Sequence, residues 1–378
     1  MKILGIVSEY NPFHNGHKYQ IEKAKEIVKP DATFCVMSGN FVQRGEPAIY
    51  NKFVRAKTAT NNGIDVVFEL PVSKCLSSAE NFATSAVLIL KNAGVSHISF
   101  GCETDDLASL TKIADILIAE PPEFKEKLKE ELKEGISFPK AQEKAINSIF
   151  KSDILKFPNN ILAVEYIKAI KKLKLNIIPV PIKRINTDYN SLNVVNNMAS
   201  SSAIRNLIMQ KNNISSLVPS IIDEKPVFAK DFESMIVYKL RSSSKENLLK
   251  IPDVNEGLEN AFMSAIKSSV TLDEIIEKVK SKRYTMSRIK RILFNLLLET
   301  PANDNLYYLH VLSCSKKGKE LLPWLNETSA LPIITSVNRF LKDAEPTARN
   351  ILYKEIYATN VYSIVNNEPF NLDFKNKI

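Results

Sequence analysis

Residues 3–18, ILGIVSEYNPFHNGHK, limit the fold more than any other stretch of the chain. The uncharged run Ile3–Val7 reads as a strand buried on both faces. A turn broken by Pro12 follows, through Asn11 and Phe13. His14, Asn15, Gly16 and His17 then stand at the threshold of a helix expected over about 17–28. Strand, tight turn and helix start, in that order, open an α/β phosphate-binding unit. Two imidazoles flank a glycine that lets an anion approach the backbone. The helix start turns unsatisfied N–H groups and the positive end of its dipole toward the same point. Two of the chain's four histidines fall in this one motif. A polyphosphate is the ligand that suits them, and their role is electrostatic: stabilising charge that develops on a phosphate under attack.

The pattern then repeats. Ala32–Ser38, Ile64–Leu70, Val95–Phe100 and Asn176–Lys183 read as further buried strands. Helices are expected over 51–62, 79–92 and from Pro158 to Leu173. Strands alternating with helices at this period predict a parallel, doubly wound sheet, with ligands beyond the carboxyl ends of its strands. Arg184 opens a polar loop that runs to Asn197, and Ser200–Ser202 cap a helix with Arg205 in its first turn. From about residue 220 helical periodicity runs almost throughout, without strand alternation. Two units are therefore expected: an α/β domain carrying the phosphate-binding motif over 1–215 and a mainly α-helical domain over 216–378, with Val218–Pro226 as the linker.

Composition excludes several classes. No run approaches the ~18 apolar residues of a membrane span, and the apolar run before Ser8 is too short for a signal-peptide core, so a cytoplasmic protein is expected. The cysteines at 35, 75, 102 and 314 form no C-x-x-C pair and have no histidine at ligand spacing, which argues against zinc and disulfides. The net charge of +9 permits a polyanionic partner without requiring one. A local cluster is more telling. KVKSKRYTMSRIKRILFNLLL (Lys278–Leu298) holds Lys278, Lys280, Lys282, Arg283, Arg288, Lys290 and Arg291 with no acid before Glu299. The spacing of Ile289, Leu293, Leu296 and Leu297 fits a helix packed on one side, with its basic residues outward and able to track phosphates of a folded RNA.

EYNPFHNGHK (Glu9–Lys18), MSGNFVQRGEPA (Met37–Ala48) and SSSAIR (Ser200–Arg205) together resemble the bacterial tRNA(Met) cytidine acetate ligases, a family of HIGH-motif nucleotidyltransferases. The resemblance covers about the first 210 residues. It implies an enzyme that uses ATP, with Mg²⁺ carried by the nucleotide, to turn acetate into acetyl-adenylate. The acetyl group then passes to N4 of the wobble cytidine of elongator tRNA(Met). It also implies ATP contacts for Val7, Ser8, Glu9, Tyr10, Asn11, Pro12, Phe13, His14, Asn15, Gly16, His17 and Lys18, and for Gly101, Asn160 and Arg184. Ser201 and Ser202 fall at the β- and γ-phosphates, and His14, His17 and Arg205 are the catalytic set. Where the family usually has Ala and Thr between the serines, this chain has Ser201 and Ser202; Cys102 stands where the family usually has Ser.

Two further expectations come from position. Gln43 and Arg44, on a polar loop between Gly39 and Ala48, suit a substrate lid at the crevice mouth. Lys280, Lys282, Arg283, Arg288, Lys290 and Arg291 suit tRNA contact. The first motif alone would equally serve a small-molecule adenylyltransferase of coenzyme biosynthesis, although that reading leaves the helical half unexplained. A non-catalytic RNA-binding protein would need only the glycine and the cap, and so leaves the histidines and Arg205 unexplained.

Overall fold

The computed structural model of the chain describes residues 1–185, 197–301 and 305–378; most of the polar loop after Arg184 lies outside these. The apolar runs form β1 (Ile3–Ser8), β2 (Ala32–Ser38), the hairpin β3 (Phe41–Val42) and β4 (Glu46–Pro47), then β5 (Val66–Leu70), β6 (His97–Cys102) and β7 (Ile178–Lys183). Strands β7, β6, β1, β2 and β5 pair in that spatial order, all in parallel. The chain moves outward from β1 through β2 to β5, then returns to β6 on the other side of β1. That reversal opens a crevice beyond the carboxyl ends of β1 and β6. Side chains alternate across the sheet: Ile3 and Val7 pack with Phe34 and Val36 on one face, and Leu4 and Ile6 with Cys35 and Met37 on the other. Burial on both faces removes any polar alternation from these strands, which is why they read as continuous apolar runs.

The second half departs from expectation. Helices dominate it, but Leu309–Cys314 forms β8, antiparallel to β5, and Ile333–Ile334 forms β9 beyond it. All six residues of β8 are buried, and a short apolar run without alternation is indistinguishable by pattern from a buried helix segment. The sheet thus draws strands from both sides of residue 215.

The helices after residue 228 build a second apolar cluster around Phe232, Phe262, Ile289, Leu293 and Phe294. Phe41 of the β3–β4 hairpin enters it, with ring centroids 5.7 Å from Phe232 and 5.5 Å from Phe294. Burying a phenylalanine fully is worth about 1.5–3 kcal/mol, so the hairpin is fastened at its base. A buried ionic cluster ties in the end of the chain: Lys52 Nζ lies 2.7 Å from both Glu69 Oε1 and Asp373 Oδ1, and His310 Nδ1 lies 2.7 Å from Glu69 Oε2. The Lys52 ammonium bridges the two carboxylates and so balances their charge. Among the described residues no helix is long and apolar enough to cross a membrane, and all four cysteines are free and buried.

Candidate active site

The turn after β1 is built to present two imidazoles. Tyr10 takes a left-handed φ of 45°, the Asn11–Pro12 peptide is cis, and the helix Asn15–Val28 begins two residues earlier than the sequence suggests. His14 is its N-cap. The Nδ1 of His14 accepts from Gly16 N–H at 3.1 Å, and the Nδ1 of His17 accepts from His14 N–H at 3.3 Å. The rings stack with centroids 3.7 Å apart. Because each Nδ1 accepts, the proton of each neutral ring sits on Nε2. His14 Nε2–H meets Ser201 Oγ at 3.0 Å. Burial, reinforced by Arg184 and Arg205, lowers the His14 pKa to about 3. Burial, then His14 and Arg184, hold His17 well below the usual imidazole range. Both rings are therefore neutral donors at neutral pH.

The expected cluster of free helix N–H groups at this turn is not found. Asn15 N–H donates to Leu217 O, Gly16 N–H to the His14 ring, and His17 and Lys18 N–H to His14 O. The imidazole takes one of the groups that the sequence assigns to an anion, and the carbonyls of Leu217 and His14 take the others. Asn15 is equally occupied, its Nδ2 donating to Asn197 O and Ser216 O.

The second anion-binding candidate is the helix Ser201–Met209. Ser200 caps it by accepting from Ala203 N–H at 3.1 Å. Arg205 donates to Asn11 O at 2.9 Å and to Ser202 Oγ at 3.2 Å, which aims its guanidinium across the first motif. His14, His17, Ser201, Ser202 and Arg205, 187 residues apart at the His14–Ser201 contact, thus converge. Beside them a cleft is lined by His14, Gly16, His17, Gly101, Arg184 and Gln20, among others. Arg184 is held at its floor by donating its N–H to Cys102 O, and a Cβ on Gly101 would lie 3.7 Å from Arg184 Cγ. Gln20 and Tyr19 line the cleft but were not singled out in the sequence. Gln20 falls one helical turn after His17, and that spacing is the signal that could have found it.

Other expected ATP contacts lie elsewhere or are already engaged. Tyr10 and Phe13 are buried beneath the turn, with ring centroids 4.8 Å apart. Asn11 Oδ1 accepts from Ile49 N–H and Ser8 Oγ from Tyr10 N–H. Val7 and Pro12 are buried, and Lys18 is exposed on the helix. Glu9 Oε1 accepts from Gln43 N–H at 2.9 Å, joining the motif to the hairpin. Asn160 is buried, and its side chain accepts from Glu103 N–H and Thr104 N–H and donates to Ile154 O, which shapes the loop after β6.

The polar loop expected as a lid is a strap. Phe41 and Val42 are buried, Gly45 has φ +73° and abuts the backbone of Lys290 and Arg291, and Gln43 Nε2 donates to Ser77 O. Glu46 pairs with Lys290 at 2.6 Å and reaches Arg205 at 4.0 Å. Burial pushes the Glu46 carboxyl up, but Lys290, Arg205 and Arg44 outweigh it and hold the group below the usual carboxylate range.

The basic stretch needs correction. It is not one outward helix: Leu272–Val279 ends before Lys280, and a new helix, Met286–Leu298, starts from the Thr285 cap. Arg291 is buried against Asp253, and Arg288 bonds Glu256 and Asp253 O and lies 5.6 Å from the Tyr284 ring centroid. Lys290 holds Glu46. The acids that partner them come from distant segments, which spacing along the stretch does not reveal. Lys280 pairs with Glu277 at the surface, and Lys282 and Arg283 are exposed.

Against known proteins, the family model described as HIGH Nucleotidyl Transferase matches residues 1–377. A tRNA(Met) cytidine acetate ligase of Acetivibrio thermocellus is 40% identical over 399 residues, covering 98% of this chain and 96% of the relative. The ligase of that name from Thermoanaerobacter sp. (strain X514) is 42% identical, covering 99% and 98%. Among solved structures, apo TmcAL of Thermotoga maritima superposes with a TM-score of 0.92 at 34% identity, covering 100% of this chain and 99% of that one. Its complex with alpha-thio ATP superposes with a TM-score of 0.88 at 35% identity, covering 97% and 95%. With its paired histidines, its Ser–Arg helix and near-complete coverage at this identity, the chain belongs to the tRNA(Met) cytidine acetate ligase family of HIGH nucleotidyl transferases.

Proposed function

We propose that the chain is an ATP-dependent ligase that acetylates N4 of the wobble cytidine of elongator tRNA(Met), with acetyl-adenylate as the intermediate. The observation that carries this reading is the neutral, stacked His14–His17 pair, with His14 bonded to Ser201, beside a cleft lined by Gly16, Gly101 and Arg184. It is supported by relatives of that name over nearly the whole length and by the ATP-analogue complex of a structural neighbour.

In this reading the adenosine lies toward Gly101 and Arg184, and the triphosphate toward Ser201, Ser202 and Arg205. An acetate oxygen attacks the α-phosphorus and the bond to pyrophosphate breaks. His17 donates from Nε2–H to the charge that builds on the phosphoryl oxygens, a role that needs no imidazolium. Arg205, backed by the first turn of the Ser201 helix, receives the charge of the leaving pyrophosphate. The cytidine amine then attacks the acetyl carbon, and AMP departs. A free carboxylate is a poor acyl donor, so adenylation makes the second step feasible. Mg²⁺ is expected with the nucleotide. The carboxylates flanking the cleft are engaged, Glu9 with Gln43, Glu46 with Lys290 and Glu103 with Asn159 and Asn160. They make a poor cage for the ion, which fits phosphate oxygens and water better. Lys282 and Arg283 are the residues of the basic stretch best suited to tRNA phosphates. A cytoplasmic location accords with this chemistry.

The test incubates the protein with labelled acetate, ATP, Mg²⁺ and unfractionated bacterial tRNA, then digests the RNA to nucleosides. Label in N4-acetylcytidine that requires ATP and His17 supports the reading. Pyrophosphate release with a small acceptor and no label in RNA would replace it with a small-molecule adenylyltransferase. Neither activity would leave an RNA-binding protein.

A further inference from the structure

Glu46 stands among three cations where the hairpin, the Ser201–Met209 helix and the Met286–Leu298 helix meet. Its two oxygens are used unequally: Oε1 is 2.6 Å from Lys290 Nζ, whereas Oε2 is 4.0 Å from Arg205 Nη2. Arg44 adds to the same positive field. The carboxylate cannot drift with a moving loop. At its neighbour Gly45, φ is +73° and a Cβ would lie 2.3 Å from Arg291 N and 2.6 Å from Lys290 C, so the hairpin sits directly on the helix backbone. Phe41 fastens the other end of the hairpin in the helical core. Arg205 is held independently by Asn11 O and Ser202 Oγ. A stronger anion can therefore take the long side of the Glu46 contact while the short Lys290 pair and the backbone stay in place.

We propose that Glu46 is the resident counter-ion of Arg205, a positioning residue that balances the guanidinium in the free enzyme, yields it to the phosphates of the nucleotide, and competes for it again when pyrophosphate leaves. This inference rests on the reading of Arg205 as a polyphosphate-binding residue. Its consequence is opposite in sign to that of a structural defect. Removing the carboxylate leaves Arg205 and Lys290 under-neutralised, so an anion binds more tightly, whereas loosening the joint would weaken binding.

The experiment measures the affinity of inorganic pyrophosphate for the full chain by titration calorimetry and by product inhibition of acetylation. Glu46→Gln, which keeps an oxygen acceptor for Lys290, is expected to bind pyrophosphate on the order of 3- to 10-fold more tightly. Glu46→Asp, which withdraws the carboxylate by one methylene, should change in the same direction by less, and it carries the test should the Gln variant not fold. Unchanged or weaker binding in the folded variants overturns the inference. Arg205→Gln separates the two levels. If it leaves pyrophosphate affinity intact, the phosphate reading of Arg205 fails; if it weakens binding while the Glu46 variants show no tightening, only the counter-ion role fails.

Discussion

Acidification offers a sharp test of the His14 cap, because a buried neutral imidazole makes stability depend on pH in a calculable direction. His14 is 3% exposed and its pKa is lowered to about 3, against about 6.5 in an unfolded chain. Between these values the unfolded state binds the proton and the folded state does not. Stability from this group is therefore complete above about pH 6.5 and is lost as pH falls toward 3. From pH 7 to pH 5 the loss is about 2 kcal/mol, taking 1.36 kcal/mol per pKa unit over the 1.5 units below the unfolded value. Other groups titrate in the same range, so the measurement is a difference. His14→Asn supplies an oxygen acceptor for Gly16 N–H and is a strong N-cap residue, yet it cannot titrate. Urea unfolding of both proteins at pH 7, 6 and 5 should show the wild type losing about 2 kcal/mol more than the variant. Parallel profiles would mean that His14 is solvated or charged in the folded state, and the tautomer assigned from its contacts would fall with it.

Three other outcomes follow from the site and its frame. His17→Ala should abolish ATP-dependent acetylation while leaving the circular dichroism spectrum and melting behaviour near normal; near-normal turnover would remove His17 from the catalytic set. Lys282→Glu with Arg283→Glu should weaken tRNA binding and flatten its salt dependence by about 0.9 per lost phosphate contact, with ATP affinity unchanged; an unaltered salt titration would leave these residues as a solvated surface. Asp373→Ala, which removes one of two carboxylates from buried Lys52, should cost about 3 kcal/mol in denaturant unfolding; a loss below ~1 kcal/mol would show that water compensates the ammonium.

What the sequence discloses tracks how local the governing physics is. The strand–turn–helix opening and the parallel sheet are legible because an apolar run such as Ile3–Val7 is a local pattern. The meeting of His14 with Ser201 was accessible only through the order of motifs and a family likeness. β8 escaped because full burial leaves no alternation. The His14 cap escaped for a chemical reason: imidazole is not among the usual cap side chains, and its Nδ1 does here what a serine hydroxyl does for Ala203. The bonds that Asn160 makes to the loop at Glu103 and Thr104 join segments more than fifty residues apart, which no local pattern reveals.

The basic stretch carries the most general point. Seven cations without an acid look unbalanced when counted along the chain, yet charge balance is settled in space. Arg291 finds Asp253, Arg288 finds Glu256, and Lys290 finds Glu46, which is 244 residues away. These pairs do not stabilise the fold greatly, since desolvation offsets much of a buried pair's attraction. Their consequence is geometric. The Lys290–Glu46 pair and the seat of Gly45 set the hairpin against the helical half, while Gln43 and Arg205 join the same hairpin to the turn that carries His14. The helical half thus holds one wall of the site by electrostatics and backbone contact.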